Sequence, residues 1–477
     1  MGSERDFDVI VVGSGAAGLS AALSATEAGA SVLVVESEGV IGGSSRLAGG
    51  VVMASRSKLQ KAAGIDDEEG ALFREYMSIN GWDLSAGPVR TWTASLGETV
   101  DWLSANGVPF YEQMIFGGDE SRARGHCVEG GGQALVTALA AACKKAGVDI
   151  ALGRRVERLV VEDGVVVGIE SGGETLTSGS VVLATGGFGA NPALLEQFYP
   201  SSYVKDETFY IGADGARGDH VEFAGQLGAQ LTGVDRGLRM LNPGVDKVHE
   251  AFLPGWTILV DRDGRRFTDE TAPYGILDAL MRNRGNVGFV IFDDACVRPP
   301  ADKADRYRDA YKQVWPNHAP FRPKHYTAEV MELFADHERV HIAATVEELA
   351  DAIRVAPAEL AGEMERYNQL VADGADTDYN KPAKFLNPLT TGPFYAVEVR
   401  PTAVAHTGYG LKIDESGAVV SLTGEAIDGL YAAGECTGGI SGRVYMGSGS
   451  SLSSAAGFGR ISGAAAAKRA ARVEVPV

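Results

Sequence analysis

The sequence predicts an α/β protein: a Rossmann-like dinucleotide-binding domain split between the two ends of the chain, with a second domain inserted between its pieces. Three observations predict this. Gly13-Ser14-Gly15-Ala16-Ala17-Gly18 lies between a strand-length apolar run and a helix-forming run, the context a G-x-G-x-x-G signature requires. A buried strand running into a glycine turn recurs at 181–189 and at 429–435. The block between these, about 236–405, carries more charge, more proline and helical patterning, and it lacks glycine clusters.

The opening unit is read residue by residue. Asp8-Val9-Ile10-Val11-Val12 is the strand and Leu19-Ser20-Ala21-Ala22-Leu23 the helix. Gly13 permits the tight turn, Gly15 lets the backbone approach a pyrophosphate, and Gly18 lets helix and strand pack closely. The N–H groups at the helix start, from Ala16 and Ala17 onward, then face a diphosphate. A second strand, Ser31-Val32-Leu33-Val34-Val35, ends on Glu36, an acid about 20 residues past the glycines that can accept from a ribose 2′-OH. Next to it stands Ser37.

Length and composition bound the rest. The 477 residues suffice for two or three domains of about 150 each. A hydrophobic content of 45% supports a large core and argues against global disorder. A net charge of −20 gives a surface that repels nucleic acid and anionic membranes. The four cysteines, Cys127, Cys143, Cys296 and Cys436, form no C-x-x-C, zinc or haem-attachment spacing, so a reduced, cytoplasmic protein without a metal site is expected. The first strand begins within ten residues of the start, which leaves no room for a signal peptide. No apolar run reaches the roughly 18–20 residues of a membrane span.

Further along, 39–50 is rich in glycine and serine and holds Gly43, Ser44, Ser45, Gly49 and Gly50. It reads either as a surface loop or as a loop passing under a cofactor ring, where larger side chains would collide. Helical periodicity dominates 65–150. Inside it the apolar, aromatic stretch from Val108 through Tyr111 to Phe116 serves either as core or as pocket wall. His126, before Gly130-Gly131-Gly132, is read as structural more readily than as part of a site. Residues 156–169 read as a β-hairpin turning on Asp163-Gly164. The strand from Val181 enters Ala184-Thr185-Gly186, and the last one enters Gly434-Glu435 before a small-residue helix at about 451–471. The domains are placed at 1–235, 236–405 and 406–477.

Together these pieces resemble the flavoproteins of the fumarate reductase and 3-ketosteroid dehydrogenase superfamily, over nearly the whole chain. The matching stretches are Gly13 to Gly18 with Glu36, Gly42-Gly43-Ser44-Ser45, Leu183 to Phe188, Ala433-Gly434-Glu435, and Phe458 to Gly463 in the closing helix. The resemblance implies noncovalent FAD, with its ring toward an inserted α+β capping domain. It implies that Glu36 holds the adenosine ribose, that the Val156 backbone meets adenine, that Glu435 meets the ribityl or ribose part, and that Ser451 and Leu452 meet the pyrimidine edge, with Ser450 beside them among the cofactor-binding residues.

Within the superfamily, fumarate reductases carry an arginine acid four residues after the Glu of R-F-x-x-E, and a second arginine in the C-terminal glycine loop. Here the first motif is Arg266-Phe267-Thr268-Asp269-Glu270, followed at the fourth place by Tyr274, and the loop carries Tyr445 in Tyr445-Met446-Gly447-Ser448-Gly449. Both departures are similar to the ketosteroid Δ1-dehydrogenase pattern. That likeness implies oxidation of a saturated cyclic ketone, a 3-ketosteroid or a smaller cyclohexanone, to its α,β-unsaturated form, with a role in steroid or alicyclic degradation. It implies that Tyr445 and the Gly449 N–H polarise the carbonyl, that Tyr274 takes the α proton, and that flavin N5 takes the β hydride. A tyrosine base must be activated against its ordinary value near about 10, so an alkaline optimum in the pH–rate profile is expected. Tyr111, Phe116 and His406 are candidates for the substrate pocket. At 477 residues the chain is short for a large steroid-binding member, which keeps small ketones in view. A separate carrier is expected to take the electrons. The competing reading is a reductase of an enoate double bond, with Arg266, Arg400 or Arg443 meeting the anion; a flavin-binding protein without turnover is a third.

Overall fold

A computed structural model describes residues 5–245, 251–318 and 320–472. The chain divides into two compact units: one made of the residues up to Tyr203, Tyr210–Leu238 and everything from Ala405, the other of Val204–Phe209 and Arg239–Val404.

The first unit is organised on a parallel sheet. β1 (Phe7–Val12) leads through the glycine turn to α1 (Ala16–Glu27) and back to β2 (Val32–Val35). β3 (Glu174–Leu183) and β4 (Ala426–Ala432) extend the sheet, and α2 (Ser450–Ala470) closes the chain. The order is β4-β3-β1-β2, parallel throughout, with Ala418–Val420 antiparallel at one edge and Asp149–Ala151 parallel at the other. A strand covered on both faces carries no polar alternation, which is why Val9, Ile10 and Val11 are all fully buried. Gly13 has φ +106, and a β-carbon built on it would lie 2.3 Å from the Ala184 carbonyl oxygen. The turn therefore closes only with glycine.

α1 and α2 touch backbone to backbone. β-carbons built on Gly459 and Gly463 would lie 2.4 Å from the Ala17 oxygen and 2.1 Å from the Ala21 oxygen. Glycines at i and i+4 share one helix face, so the four positions form a matched stripe. The hairpin is present as Arg158–Glu162 and Val165–Ser171, with Asp163 at φ +49 and Gly164 at φ +82, the two positive-φ positions of a tight hairpin turn.

One expectation needs correction. The 65–150 stretch does hold the helices Ala71–Ile79, Ala86–Ala105 and Gly131–Ala146. Between them, however, Phe110–Ile115 and Gly125–Val128 are antiparallel strands, and Val51–Met53 pairs on the far side of the second. Phe110–Ile115 shows no alternation of buried and exposed residues and Gly125–Val128 is buried throughout, so neither carries the two-residue period that announces a strand.

In the second unit an antiparallel sheet runs Ile258–Val260, Gly288–Asp293, Phe394 onward, with Val340–Ala343 pairing the opposite edge of that last strand. Helices Val346–Ala352 and Pro357–Asp373 follow in sequence from Val340–Ala343. The first is fixed by a Thr345/Glu348 capping box. Among the described residues no helix is long and apolar enough to cross a membrane.

Candidate active site

The carboxyl ends of the parallel strands open onto one cleft in the first unit, where ligands bind in open α/β sheets. Gly13, Gly15, Ala16 and Ala17 line it together with Glu36 and Ser37, Gly43 to Ser45, Val156, Ala184 to Gly186, Gly434 and Glu435, and Ser451 and Leu452. The sequence thus brings most of the expected cofactor residues to one place.

Glu36 is 5% exposed and rigidly held. Its Oε2 accepts from Ser14 N at 2.9 Å and Ser14 Oγ at 2.6 Å, and its Oε1 from Glu38 N at 2.8 Å and Ser37 Oγ at 3.2 Å. A carboxylate offers about four acceptor positions, so a ribose hydroxyl would enter by displacing the longest bond, that of Ser37. Ser14 Oγ also accepts from Gly42 N at 3.0 Å. Ser14 thereby ties the acid to Gly42, at the head of the short helix Gly43–Leu47, a clasp that a motif reading treats as an unspecified x. Ser45 Oγ accepts from Ala16 N at 3.0 Å, and Ser44 Oγ meets Tyr210 Oη at 3.0 Å and Ala213 N at 3.0 Å. These serines brace the cleft as well as line it.

An FAD molecule fits this donor set. The start of α1 faces the cleft, no β-carbon fills it at Gly13 or Gly15, and the buried Thr185 Oγ1 in its lining has no hydrogen-bond partner among the described residues. Gly18, Gly49, Gly50 and Ser450 are not part of the lining. A β-carbon on Gly18 would overlap the Gly13 oxygen, and one on Gly50 would lie 2.4 Å from Gly131 Cα. Both therefore serve close packing. Ser450 Oγ donates to Gly447 O at 2.9 Å and closes the first turn of α2.

Tyr445 lies just before α2 and folds back on it. Its Oη accepts from Ser451 N at 3.1 Å and stands 3.0 Å from Ser451 Oγ. Burial pushes its pKa up against the lowering effect of the Ser451 bonds, so the phenol stays protonated. Gly449, at φ +100, caps α2; a β-carbon there would lie 2.5 Å from Met53 N. His406, 6% exposed, sits 6.2 Å ring to ring from Tyr445, with Nε2 2.8 Å from Ser441 Oγ. Burial lowers its pKa, opposed by Glu435, which keeps the imidazole neutral. Glu435 Oε1 accepts from Thr407 N and Thr407 Oγ1, both at 2.8 Å. Ser441 and Thr407 were not singled out by sequence; Thr407, as the neighbour of His406, was within reach of it.

Two pocket candidates fare differently. Tyr111 is half-buried on its strand, whereas Phe116 is 57% exposed. The chain just beyond it supports the Tyr445 loop through its backbone instead: Gly117 O accepts from Ser448 N at 2.8 Å, and Gly118 bridges Gly447. His126 is structural. It is fully buried, bonds Ser57 Oγ at 2.6 Å and the carbonyls of Val52 and Arg124, and burial pulls its pKa down to about 4.

In the second unit, Tyr274 opens the helix Tyr274–Arg282 behind Pro273 and is 7% exposed. Its ring lies 5.6 Å from Phe252, which meets Trp315 and Phe321 at 5.5 and 5.1 Å. The R-F-x-x-E motif anchors this helix. Glu270 accepts from Arg266 Nε at 2.8 Å and from Leu259 N at 3.0 Å, with Lys381 Nζ at 2.9 Å, while Arg266 also reaches Asp376 at 2.7 Å. All four side chains are buried. Arg266 is therefore committed to carboxylates and is no anion partner; Arg400 likewise holds Glu207 and Glu398, each at 2.6 Å. Glu270→Gln, which leaves Arg266 and Lys381 facing each other with a single acid, is expected to cost about 3–5 kcal/mol. A fall in the urea midpoint measures it.

The FAD binding domain family matches residues 8–452. A cytochrome fumarate reductase of Shewanella frigidimarina is 33% identical over 471 residues, covering 97% of this chain and 77% of its own. The structure of 3-ketosteroid Δ4-(5α)-dehydrogenase from Rhodococcus jostii RHA1, in complex with 4-androstene-3,17-dione, aligns with a TM-score of 0.78 at 28% identity over 98% of both chains. The 4-oxocyclohexanecarboxylate 2-dehydrogenase of Sinomonas cyclohexanicum is 26% identical over 98% of this chain and 93% of its own. With the cleft and its donors, these likenesses make the chain a member of the FAD binding domain family, an FAD-dependent oxidoreductase of the fumarate reductase and ketosteroid dehydrogenase group.

Proposed function

We propose that this flavoprotein desaturates a cyclic ketone, a 3-ketosteroid or a smaller cyclohexanone, to the α,β-unsaturated ketone. The observation that carries the reading is the chemistry of the Tyr445 loop. A neutral phenol and a glycine N–H, which has no acceptor among the described residues, stand at the start of α2, where the resemblance calls for an arginine in fumarate reductases. A neutral donor pair suits a ketone oxygen that gains charge as the α C–H ionises; a guanidinium suits a carboxylate. The commitment of Arg266 and Arg400 to acids within their own unit supports the same choice. The aromatic surround of Tyr274 suits an apolar substrate.

In this reading Tyr445 O–H and Gly449 N–H bind the ketone oxygen, and Tyr274, as its phenolate, receives the α proton and becomes the neutral phenol. FAD, when bound, supplies the two-electron acceptor for the hydrogen leaving the β carbon. A separate carrier takes the electrons onward.

A specific observation favours a second reading, an enoate reductase. Arg443 is exposed and has no ionic partner among the described residues, and the cytochrome fumarate reductase is more identical to this chain than the dehydrogenases named above. Anaerobic mixing separates the two. The yellow protein is expected to bleach with cyclohexanones or 3-ketosteroids; after dithionite reduction it is expected to remain reduced in the presence of fumarate. Reoxidation by fumarate with no bleaching by any ketone overturns the desaturase reading.

A further inference from the structure

Three polar side chains behind Tyr445 form a line that ends on its hydroxyl. Ser441 Oγ is 2.8 Å from His406 Nε2, and His406 Nδ1 is 3.4 Å from Ser451 Oγ. Ser451 Oγ is 3.0 Å from Tyr445 Oη, which also accepts from Ser451 N at 3.1 Å. Glu435 Oε2 lies 3.9 Å from His406 Nδ1, and its other oxygen is fixed by Thr407.

A hydroxyl donates one proton, so such a line runs in one direction or the other. The direction depends on which nitrogen of the neutral imidazole carries hydrogen. With hydrogen on Nε2, His406 donates to Ser441 and accepts from Ser451. Ser451 Oγ must then be satisfied by the Tyr445 proton, and the phenol spends its only donor on the protein. With hydrogen on Nδ1, Ser441 donates to Nε2, Nδ1–H donates to Ser451, and Ser451 O–H donates to Tyr445. The phenol oxygen then accepts two bonds from Ser451, and its own proton is directed away from Ser451. The Glu435 carboxylate beside Nδ1 attracts an N–H and repels a bare nitrogen lone pair, which selects the second arrangement.

We propose that His406 and Ser451 are positioning residues which, with Glu435 setting the imidazole tautomer, orient the Tyr445 hydroxyl so that it donates to the substrate carbonyl. The proposal rests on the reading of Tyr445 as the carbonyl-binding group. It assigns His406 a task other than touching substrate, and it gives Ser451 a side-chain role distinct from that of its backbone.

The test compares His406→Asn, His406→Gln and Ser451→Ala in flavin-loaded protein. An Asn amide N–H can stand where Nδ1–H stands, whereas a Gln amide reaches the Nε2 position, so the tautomer requirement ranks the two variants. Two readouts are used: kcat for ketone oxidation, and the isotope-edited infrared stretch of 1-13C-cyclohex-2-enone bound to the oxidised enzyme, which falls in frequency when the carbonyl accepts a hydrogen bond. Ser451→Ala and His406→Gln are expected to lower kcat about tenfold, the factor that loss of one net hydrogen bond represents, and to return the stretch toward its unbonded frequency. His406→Asn is expected to stay within about threefold and keep the lowered stretch. Flavin content, read from the absorbance ratio, is measured for each variant, and kcat is normalised to it. A lowered stretch in the wild type that all three variants retain overturns the positioning role alone, as does equal loss in Asn and Gln. A wild type that neither bleaches with ketones nor lowers the enone stretch overturns the desaturase reading, and this proposal with it.

Discussion

Replacing Tyr445 by phenylalanine is expected to lower kcat for ketone oxidation about 10²- to 10³-fold, the cost of removing one donor from a site that stabilises a developing oxyanion. Phenylalanine keeps the ring beside His406 and removes only the oxygen. The Ser451 N–H and Oγ that now meet that oxygen at 3.1 and 3.0 Å lose their partner, but they sit in the first turn of α2, where water can satisfy them. Flavin content should therefore survive, so the loss can be assigned to chemistry. Steady-state turnover with a cyclohexanone, normalised to bound flavin, checks it. A Tyr445→Phe enzyme within threefold of the wild type removes this phenol from the mechanism.

Gly13→Ala is expected to abolish flavin retention outright. The φ of +106 costs about 1–3 kcal/mol for any side chain. The new methyl would also stand 2.3 Å from the Ala184 oxygen, on a backbone carbonyl that cannot swing aside. Ala184 N is bonded to Val12 O at 2.8 Å, so moving it pulls β1 and β3 apart. The separation would open the cleft at the turn itself. The expected product is a colourless, less stable protein, measured by its visible spectrum and by thermal unfolding with and without added FAD. A yellow Gly13→Ala protein with wild-type melting would contradict the packing described here.

The sequence was legible where the determining interactions are local. The strand–turn–helix around Gly13, the Asp163-Gly164 hairpin and the small-residue stripe of the closing helix each state their geometry within a few residues. Legibility failed where the partner comes from elsewhere in the chain. Arg266 looks the same in R-F-x-x-E whether it is free or neutralised; Asp376 and Lys381, which help to decide the matter, lie more than a hundred residues further on. The strand Gly125–Val128 is paired with the nearby Phe110–Ile115 on one edge and with the distant Val51–Met53 on the other; buried throughout, it shows no two-residue period to detect. Phe116 reads as core or as pocket wall because it is aromatic, and its 57% exposure is set by the fold. Ser14 and Ser441 hold their sites through hydroxyl bonds whose partners, Glu36 and His406, are 22 and 35 residues away. Spacing carries no trace of these.

The backbone contact between Ala17 and Ala21 of α1 and Gly459 and Gly463 of α2 joins segments more than 400 residues apart in the sequence. Ser451 and Leu452, which line the cleft, belong to that same second helix. Contacts of such long separation come at the cost of closing a large loop first. The glycine turn around Gly13 is local, but its cleft is finished only when α2 docks, so assembly of the flavin site is tied to the longest-range step in the folding of this unit.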